Sequence, residues 1–362
     1  MNCLKYTDLL KRMVAVPSPS FQEEAVAGLI CSELEKDGIE VSRPGGNILA
    51  VKPGYDPHRR TLALIAHMDT VAPNKGYTRD PYDPGDDTDI IYGLGSNDDG
   101  GCVVSMIAAF AHFMDIPLNI NLMLIISREE ERSGPDGSSF LFGKGGFFET
   151  SAEFRMPDWV IVGEPTGLRA ASSERGLLVL DALAKGKAGH AARDEGVNAL
   201  YIALEDIAAL RGYDFGRISK SMGKVHLAVT MISAGEAHNV VPAECRFTVD
   251  IRPTDVYSNE EIVSSLQAVC KSTLTPRSLH NRSSATPEGS LLLRAVRDSG
   301  IETFSSPTTS DWMSIPVDAI KIGPGESSRS HKADEFILVE EICQAISTYI
   351  KLIGCIDEYS LE

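Results

Sequence analysis

The 362-residue chain is 43% hydrophobic and 23% charged, the balance of a folded soluble protein, and it is longer than one hydrophobic core usually serves, so two domains are expected. Its formal charge of -17 repels nucleic acid and anionic membrane, and no run of basic residues offers a local exception. No stretch approaches the roughly 18 uninterrupted apolar residues of a membrane span, and the opening MNCLKYTDLLKRMVAVPSPS lacks the apolar run of a secretory signal, so a cytoplasmic location is expected.

Taken in chain order, that opening segment mixes charged and apolar residues at helical spacing, and a helix is predicted around Glu23 to Asp37. Apolar runs predict strands at TLALIAHMD, NLMLIIS and DWVIVGEP, with an apolar helix after Gly101. Strands alternating with helices imply a largely parallel sheet, whose sites lie where strands end. The Gly/Asp-rich DPYDPGDDTD between these elements reads as a solvated turn.

From about Ala170 the pattern changes. Strand-like GLLVLDALAKG, helical NALYIALEDIAAL, strand-like KVHLAVTMIS and CRFTVDIRP, helical NEEIVSSLQAVC and strand-like RSLHNRSS suggest a compact α+β unit. After about Pro287 the α/β character returns with KIGPG and a long final helix. The expectation is an α/β domain of residues 1–170 and 286–362, interrupted by an α+β lid of residues 171–285; insertion at a surface loop leaves the host sheet intact. The seven cysteines (Cys3, Cys31, Cys102, Cys245, Cys270, Cys343, Cys355) are scattered and form no C-x-x-C pair, and are read as reduced thiols.

Chemistry concentrates at the predicted strand ends. His67 and Asp69 close TLALIAHMD, and two residues apart on a strand they face the same side, so Asp69 can steady a metal-binding imidazole. Asp98 and Asp99 follow YGLGSN and precede two glycines and an apolar helix, where they read equally as a helix N-cap or as cation ligands. Glu129, Glu130 and Glu131 follow NLMLIIS after Arg128; at a buried strand exit three like charges suggest a cation, on a surface loop merely a solvated run. Glu164 ends WVIVGEP, and His331 follows the glycine-rich KIGPGESS. Two histidines and several carboxylates, without paired cysteines, form a nitrogen and oxygen donor set suited to catalytic zinc. Alone, His190, His238 and Arg252 read as surface or structural residues.

Together, IAHMDTV, YGLGSNDDGG, the EEE run, VGEPT, GKAGHAA, HNVVPAEC, DIRP and the late His331 resemble, in order and over nearly the whole chain, the acetylornithine deacetylase and succinyl-diaminopimelate desuccinylase family, relatives of zinc carboxypeptidases and aminoacylases. The resemblance implies an α/β two-zinc hydrolase domain with an inserted α+β lid and dimerisation domain. It implies one zinc held by His67 and Glu164, a second by Glu131 and His331, and Asp98 bridging both, with a cis peptide bond from Asp98 to Asp99. Cobalt is a possible substitute for zinc. Glu130 becomes the general base, supported by Asp69 behind His67. In the lid, His190 looks like the residue that polarises the scissile carbonyl, Asn239 like its hydrogen-bonding neighbour, and Arg252 like a clamp for the substrate carboxylate. The chain departs from the family where Gly100 replaces a lysine; aligning on the paired glycines would instead bring Asn97, a poor bridging ligand, to the bridge.

The implied activity is hydrolysis of the amide of a small N-acyl amino acid, most closely N-acetyl- or N-succinyl-L-ornithine or N-acetylcitrulline in arginine biosynthesis, by a homodimer joined through the lid. Succinyl recognition would call on a further cation, for which Arg175, Arg193 and Arg329 are candidates. Desuccinylation of diaminopimelate and dipeptide cleavage are the alternatives within the same chemistry; a non-catalytic binding protein that keeps the fold is the alternative outside it.

Overall fold

The computed structural model describes residues 3–193 and 195–361. The chain divides into two compact units. The first runs to Ser172 and includes Ala285–Phe304 and the residues from Ser310 onward; the second is Ser173–Ser284 with Ser305–Thr309.

In the first unit the sheet passes, in spatial order, through Val41–Ser42, Ile48–Val51, Asn121–Ser127, Thr61–His67, Trp159–Val162 and Asp318–Lys321. The last four are parallel, and the first two join antiparallel. Their runs are apolar without alternation because both faces are covered. On one face Leu62, Leu64, Leu122 and Leu124 pack with Phe110 of the helix Gly101–His112 and with Tyr349 and Leu352 of the helix Val339–Tyr359. On the other, Ala63, Ile65, Met123 and Ile125 meet Phe142, Phe148 and Trp312. Each fully buried leucine or isoleucine contributes about 1.5–3 kcal/mol relative to exposure, which makes this double-sided sheet a stiff platform.

The register sets where its loops begin. His67 stands beside Ser127, and Ile65 beside Val162, so the chain leaves three neighbouring strands along one edge, just before Asp69, Glu130 and Glu164. That edge is the carboxyl end of the parallel strands.

The reading of all cysteines as free thiols is corrected at two positions: Cys3 and Cys343 form a disulfide, with Cα atoms 5.9 Å apart. The helix Cys3–Val14 and the helix Val339–Tyr359 bury Leu9, Leu10 and Ile346 in one core, which brings together two cysteines 340 residues apart in sequence. Spacing along the chain cannot report such a pair. The other five cysteines are free. Among the described residues no helix is long and apolar enough to cross a membrane.

The second unit is an antiparallel sheet in the order His226–Ala234, Glu244–Arg252, Leu178–Lys185, Thr273–Pro276. LVLDALAK alternates buried and more exposed residues, because the helices Ala199–Arg211 and Asn259–Gln267 pack Ala203, Leu210, Ile262 and Leu266 against one face. Asn198 caps the first helix, and Ser258 with Glu261 forms a capping box on the second. The strand expected at RSLHNRSS lies earlier, at Thr273–Pro276. Beyond it local side-chain bonds replace the ladder: Asn259 donates to the carbonyls of Leu279 and Asn281, and Ser278 accepts from the His280 N–H.

Candidate metal centre

His67, at the end of its strand, is 2% exposed and cannot shed charge to water. Its Nδ1 lies 3.0 Å from the Asp69 carbonyl oxygen and 3.5 Å from the Asp69 carboxylate; its Nε2 lies 3.2 Å from Asp98 Oδ1. Burial opposes a proton on this ring, but acceptors on both sides outweigh it and hold its pKa well above the ordinary value. Asp69 does more than steady the ring. Its two oxygens accept the N–H groups of Glu130 and Glu131 at 3.0 and 3.2 Å, and the Ser20 hydroxyl at 2.7 Å.

The Asp98–Asp99 peptide bond is cis, as the resemblance implies. Neither aspartate caps the following helix: Gly100 occupies that position and no side chain bonds there. Asp98 lies between two imidazoles, 3.2 Å from His67 Nε2 and 3.7 Å from His331 Nε2. Asn97 turns elsewhere, bonding Glu326 through both its amide groups. At Gly100 the loop closes on itself: a Cβ there would lie 2.5 Å from the Gly95 carbonyl oxygen. Burial, and next to it the Asp98 charge, push the Asp99 carboxyl up to about 7.

The three glutamates do not share one direction. Glu129 adopts a left-handed conformation at φ 61° and turns to Arg128, 3.2 Å away, and to the Asp136 N–H. Its neighbours face the histidines: Glu130 Oε2 is 4.0 Å from His67 Nε2, and Glu131 Oε2 is 2.9 Å from His331 Nε2. The Glu131 hydrogen bond raises the pKa of the exposed His331 to about 9.

Among the described residues two overlapping sets of donors could enclose a cation, His67 with Glu130 and Glu164, and His67 with Asp98 and Glu131; within each set the donor atoms lie within 4.8 Å of one another. In the polypeptide by itself, burial and then mutual repulsion hold Glu130 and Glu164 well above the usual carboxylate range and raise Glu131. Divalent cations would relieve this cost and displace protons from the ligands. Imidazole and carboxylate donors without thiolate fit zinc or cobalt.

In the second unit, the ribbon of Gly189–His190 and Val240–Val241 pairs His190 with Val240 and places it next to Asn239, whose carbonyl accepts the Ala191 N–H. His190 is exposed, and its Nδ1 accepts from Ala192 N at 3.2 Å, which leaves Nε2–H free to donate. Arg252 is held at the end of its strand by Asp250, through Nε at 2.9 Å and Nη2 at 3.2 Å. Of the three candidate succinyl-binding cations, Arg175 is bonded to the carbonyls of Lys224 and Met222, and Arg329 is paired with both oxygens of Glu341 at 2.7 and 3.1 Å. Arg193 is exposed and has no partner among the described residues.

Sequence reading missed three buried acids and a serine around this centre. Ser20 lies in a loop whose PSPS carries no motif. Glu23 accepts from Arg128 and the Glu129 N–H, steadying the start of the acidic turn. Asp311 accepts from Ser127 at the end of its strand, and Glu335 accepts from the Asp98 loop. Burial, then the nearby Asp98, push the Glu335 carboxyl up to about 8. An isolated acid in a loop has no periodicity that would separate it from a solvated one.

Residues 63–354 match the family model described as peptidase family M20/M25/M40. Similar proteins include a succinyl-diaminopimelate desuccinylase from Sphingopyxis alaskensis, 26% identical over 94% of this chain and 96% of its own length. An acetylornithine deacetylase from Myxococcus xanthus is 25% identical over 83% of this chain and 82% of its own length. Among solved structures, an M20 family metallo-carboxypeptidase from Sulfolobus solfataricus superposes with a TM-score of 0.78 at 16% identity, covering 98% of this chain and 99% of that one. A dinuclear metal-binding M20 peptidase from Bacillus subtilis superposes with a TM-score of 0.74 at 15% identity, covering 98% of each.

Proposed function

We propose that this chain, which belongs to peptidase family M20/M25/M40, is a two-zinc amidohydrolase that cleaves the acyl–nitrogen bond of N-acetyl- or N-succinyl-L-ornithine, or of N-acetylcitrulline, in arginine biosynthesis. It is a metal-dependent hydrolase; the metal, the substrate and the pathway are the proposal. The observation that carries it is Asp98 lying between His67 and His331, with Glu164 in a donor set beside His67 and Glu131 against His331.

In this reading His67 and Glu164 would hold one ion, Glu131 and His331 the other, and Asp98, between the two histidines, would serve both. Bound there, the ions would supply polarisation of the acyl carbonyl and a lowered pKa of water. Glu130, whose carboxylate faces the centre 4.0 Å from His67 Nε2, would take a proton from the attacking water and return it to the leaving nitrogen. Asp69 orients three groups at once: the His67 ring and the backbones of Glu130 and Glu131. The free Nε2–H of His190 suits donation to the carbonyl oxygen as it gains charge, and Asn239 lies beside it.

A homodimer through the second unit is part of the proposal. The strand His226–Ala234 is a sheet edge, and Met231 and Ile232 on it are 65% and 49% exposed, an apolar edge that a second copy can cover. A cytoplasmic location accords with amino-acid biosynthesis. The Cys3–Cys343 disulfide runs against it, since cytosolic thiols are mostly kept reduced.

Succinyl-diaminopimelate is the second reading, favoured by relatives such as the Sphingopyxis alaskensis protein. Metal analysis together with hydrolysis of acetylornithine, succinylornithine, acetylcitrulline and succinyl-diaminopimelate separates the readings. The ornithine reading expects two zinc ions per chain and the highest kcat/KM on an ornithine derivative; preference for succinyl-diaminopimelate would replace it. Arg193→Ala is expected to penalise a succinyl substrate and spare an acetyl one.

Arg252 is proposed to clamp the substrate carboxylate with the guanidinium edge that Asp250 leaves open. Lysine lacks that planar fork, so Arg252→Lys is expected to raise KM about tenfold or more while Arg211→Lys, at a helix end, changes it little. Equal, small effects at both positions would remove Arg252 from the site.

A further inference from the structure

Glu335 plays no part in the chemistry above, yet it is a carboxylate only 2% exposed, set among other acids. Its Oε1 accepts the N–H groups of Asn97 and Asp98, both at 2.9 Å. These N–H groups need an acceptor from outside their own turn, because Asp98 at φ -124° and ψ 95° is not helical. The same acid's backbone carbonyl accepts the Gly93 N–H at 2.8 Å. Asn97 is bonded in turn to Glu326, so residues 93–98 are laced to residues 326–335 along their length.

That second segment also carries His331. The group that holds the backbone of Asp98 therefore follows a proposed metal ligand by four positions, and Asp98 Oδ2 lies 3.7 Å from His331 Nε2. Two successive N–H groups converging on one oxygen fix the peptide planes on both sides of the Asn97 Cα, and so the place from which the Asp98 Cα and its side chain start. An acceptor elsewhere in the loop could satisfy one of these groups but could not set both planes.

We infer that Glu335 is a positioning residue that holds Asp98 towards both His67 and His331 by accepting the two N–H groups of its loop, and so sets the geometry shared by the two metal ions. The inference rests on the two-metal reading, and what matters in it is the accepting oxygen at that reach.

The full chain, stripped with a chelator, is titrated with cobalt(II) while the visible spectrum and the bound ions per chain are followed; circular dichroism and Tm report folding. Wild type is expected to take two ions. Glu335→Gln keeps an oxygen at the same reach and is expected to retain the wild-type spectrum and stoichiometry. Glu335→Ala removes the acceptor, and Glu335→Asp keeps the carboxyl group but falls one methylene short. Both are expected to bind cobalt about 10–100-fold more weakly with an altered visible band at near wild-type Tm. Should the alanine variant not fold, the aspartate variant carries the comparison. Alanine and aspartate variants with wild-type affinity and spectrum would overturn the inference while leaving two metals in place, as would a glutamine variant as weak as the alanine one. A wild-type chain binding fewer than two ions would overturn the two-metal reading, and this inference with it.

Discussion

Glu130→Gln is expected to keep two metal ions per chain and to lose about 10²–10⁴-fold in turnover, the usual contribution of a positioned general base. Glutamine preserves the shape and the hydrogen-bonding oxygen of the side chain but cannot take a proton. The backbone anchor is unaffected, because Asp69 holds Glu130 by its N–H. Glu131→Gln should act differently. Its carboxylate meets His331 at 2.9 Å, and loss of its charge should release one ion, with activity falling as a consequence. Geometry alone does not divide the roles, since Glu130 also completes a donor set with His67 and Glu164. Metal analysis beside kcat does. A Glu130→Gln chain short of one ion, with Glu131→Gln retaining both, would exchange the two assignments.

His190→Ala is expected to lose about 10²–10³-fold in kcat, the effect of removing one donor to a developing oxyanion. We propose that this histidine serves the partner subunit's centre, because the unit that carries it also carries the proposed dimer edge. Mixing Glu130→Ala with His190→Ala tests this. In a mixed dimer the His190→Ala chain keeps its own Glu130 and receives an intact histidine from its partner, so one of two sites is complete. Random pairing makes about half the dimers mixed, and recovery should approach about a quarter of wild-type activity for a closed two-fold dimer. Proven subunit exchange with no recovered activity would place His190 in its own chain's site, or in none.

The fold of the first unit is largely legible in the sequence. TLALIAHMD, NLMLIIS and DWVIVGEP are apolar through both faces, which is what a covered parallel sheet requires. Because such sheets present their loops at the carboxyl ends, the meeting of His67, Asp98, Glu131, Glu164 and His331 at one edge is legible as well. Legibility fails where no period exists. RSLHNRSS has the composition of a strand, but Asn259 and Ser278 draw its backbone into a loop. Arg175 and Arg329 look like free cations until Lys224, Met222 and Glu341 are seen to occupy them.

Alternation of apolar runs and helical spacing thus determined the order of the elements, and the donor chemistry at strand ends determined the class of site. Packing decided the rest. It turned Glu129 away from its two neighbours, joined Cys3 to Cys343, gave Asp69 three groups to orient, and brought Glu335 under the Asp98 loop from more than two hundred residues away. A hydrophobic period is a local quantity, repeated over neighbouring residues, so it can be read along the chain. A hydrogen bond between distant loops is decided only once two surfaces have met, and the residue types alone carry no record of which surfaces those are.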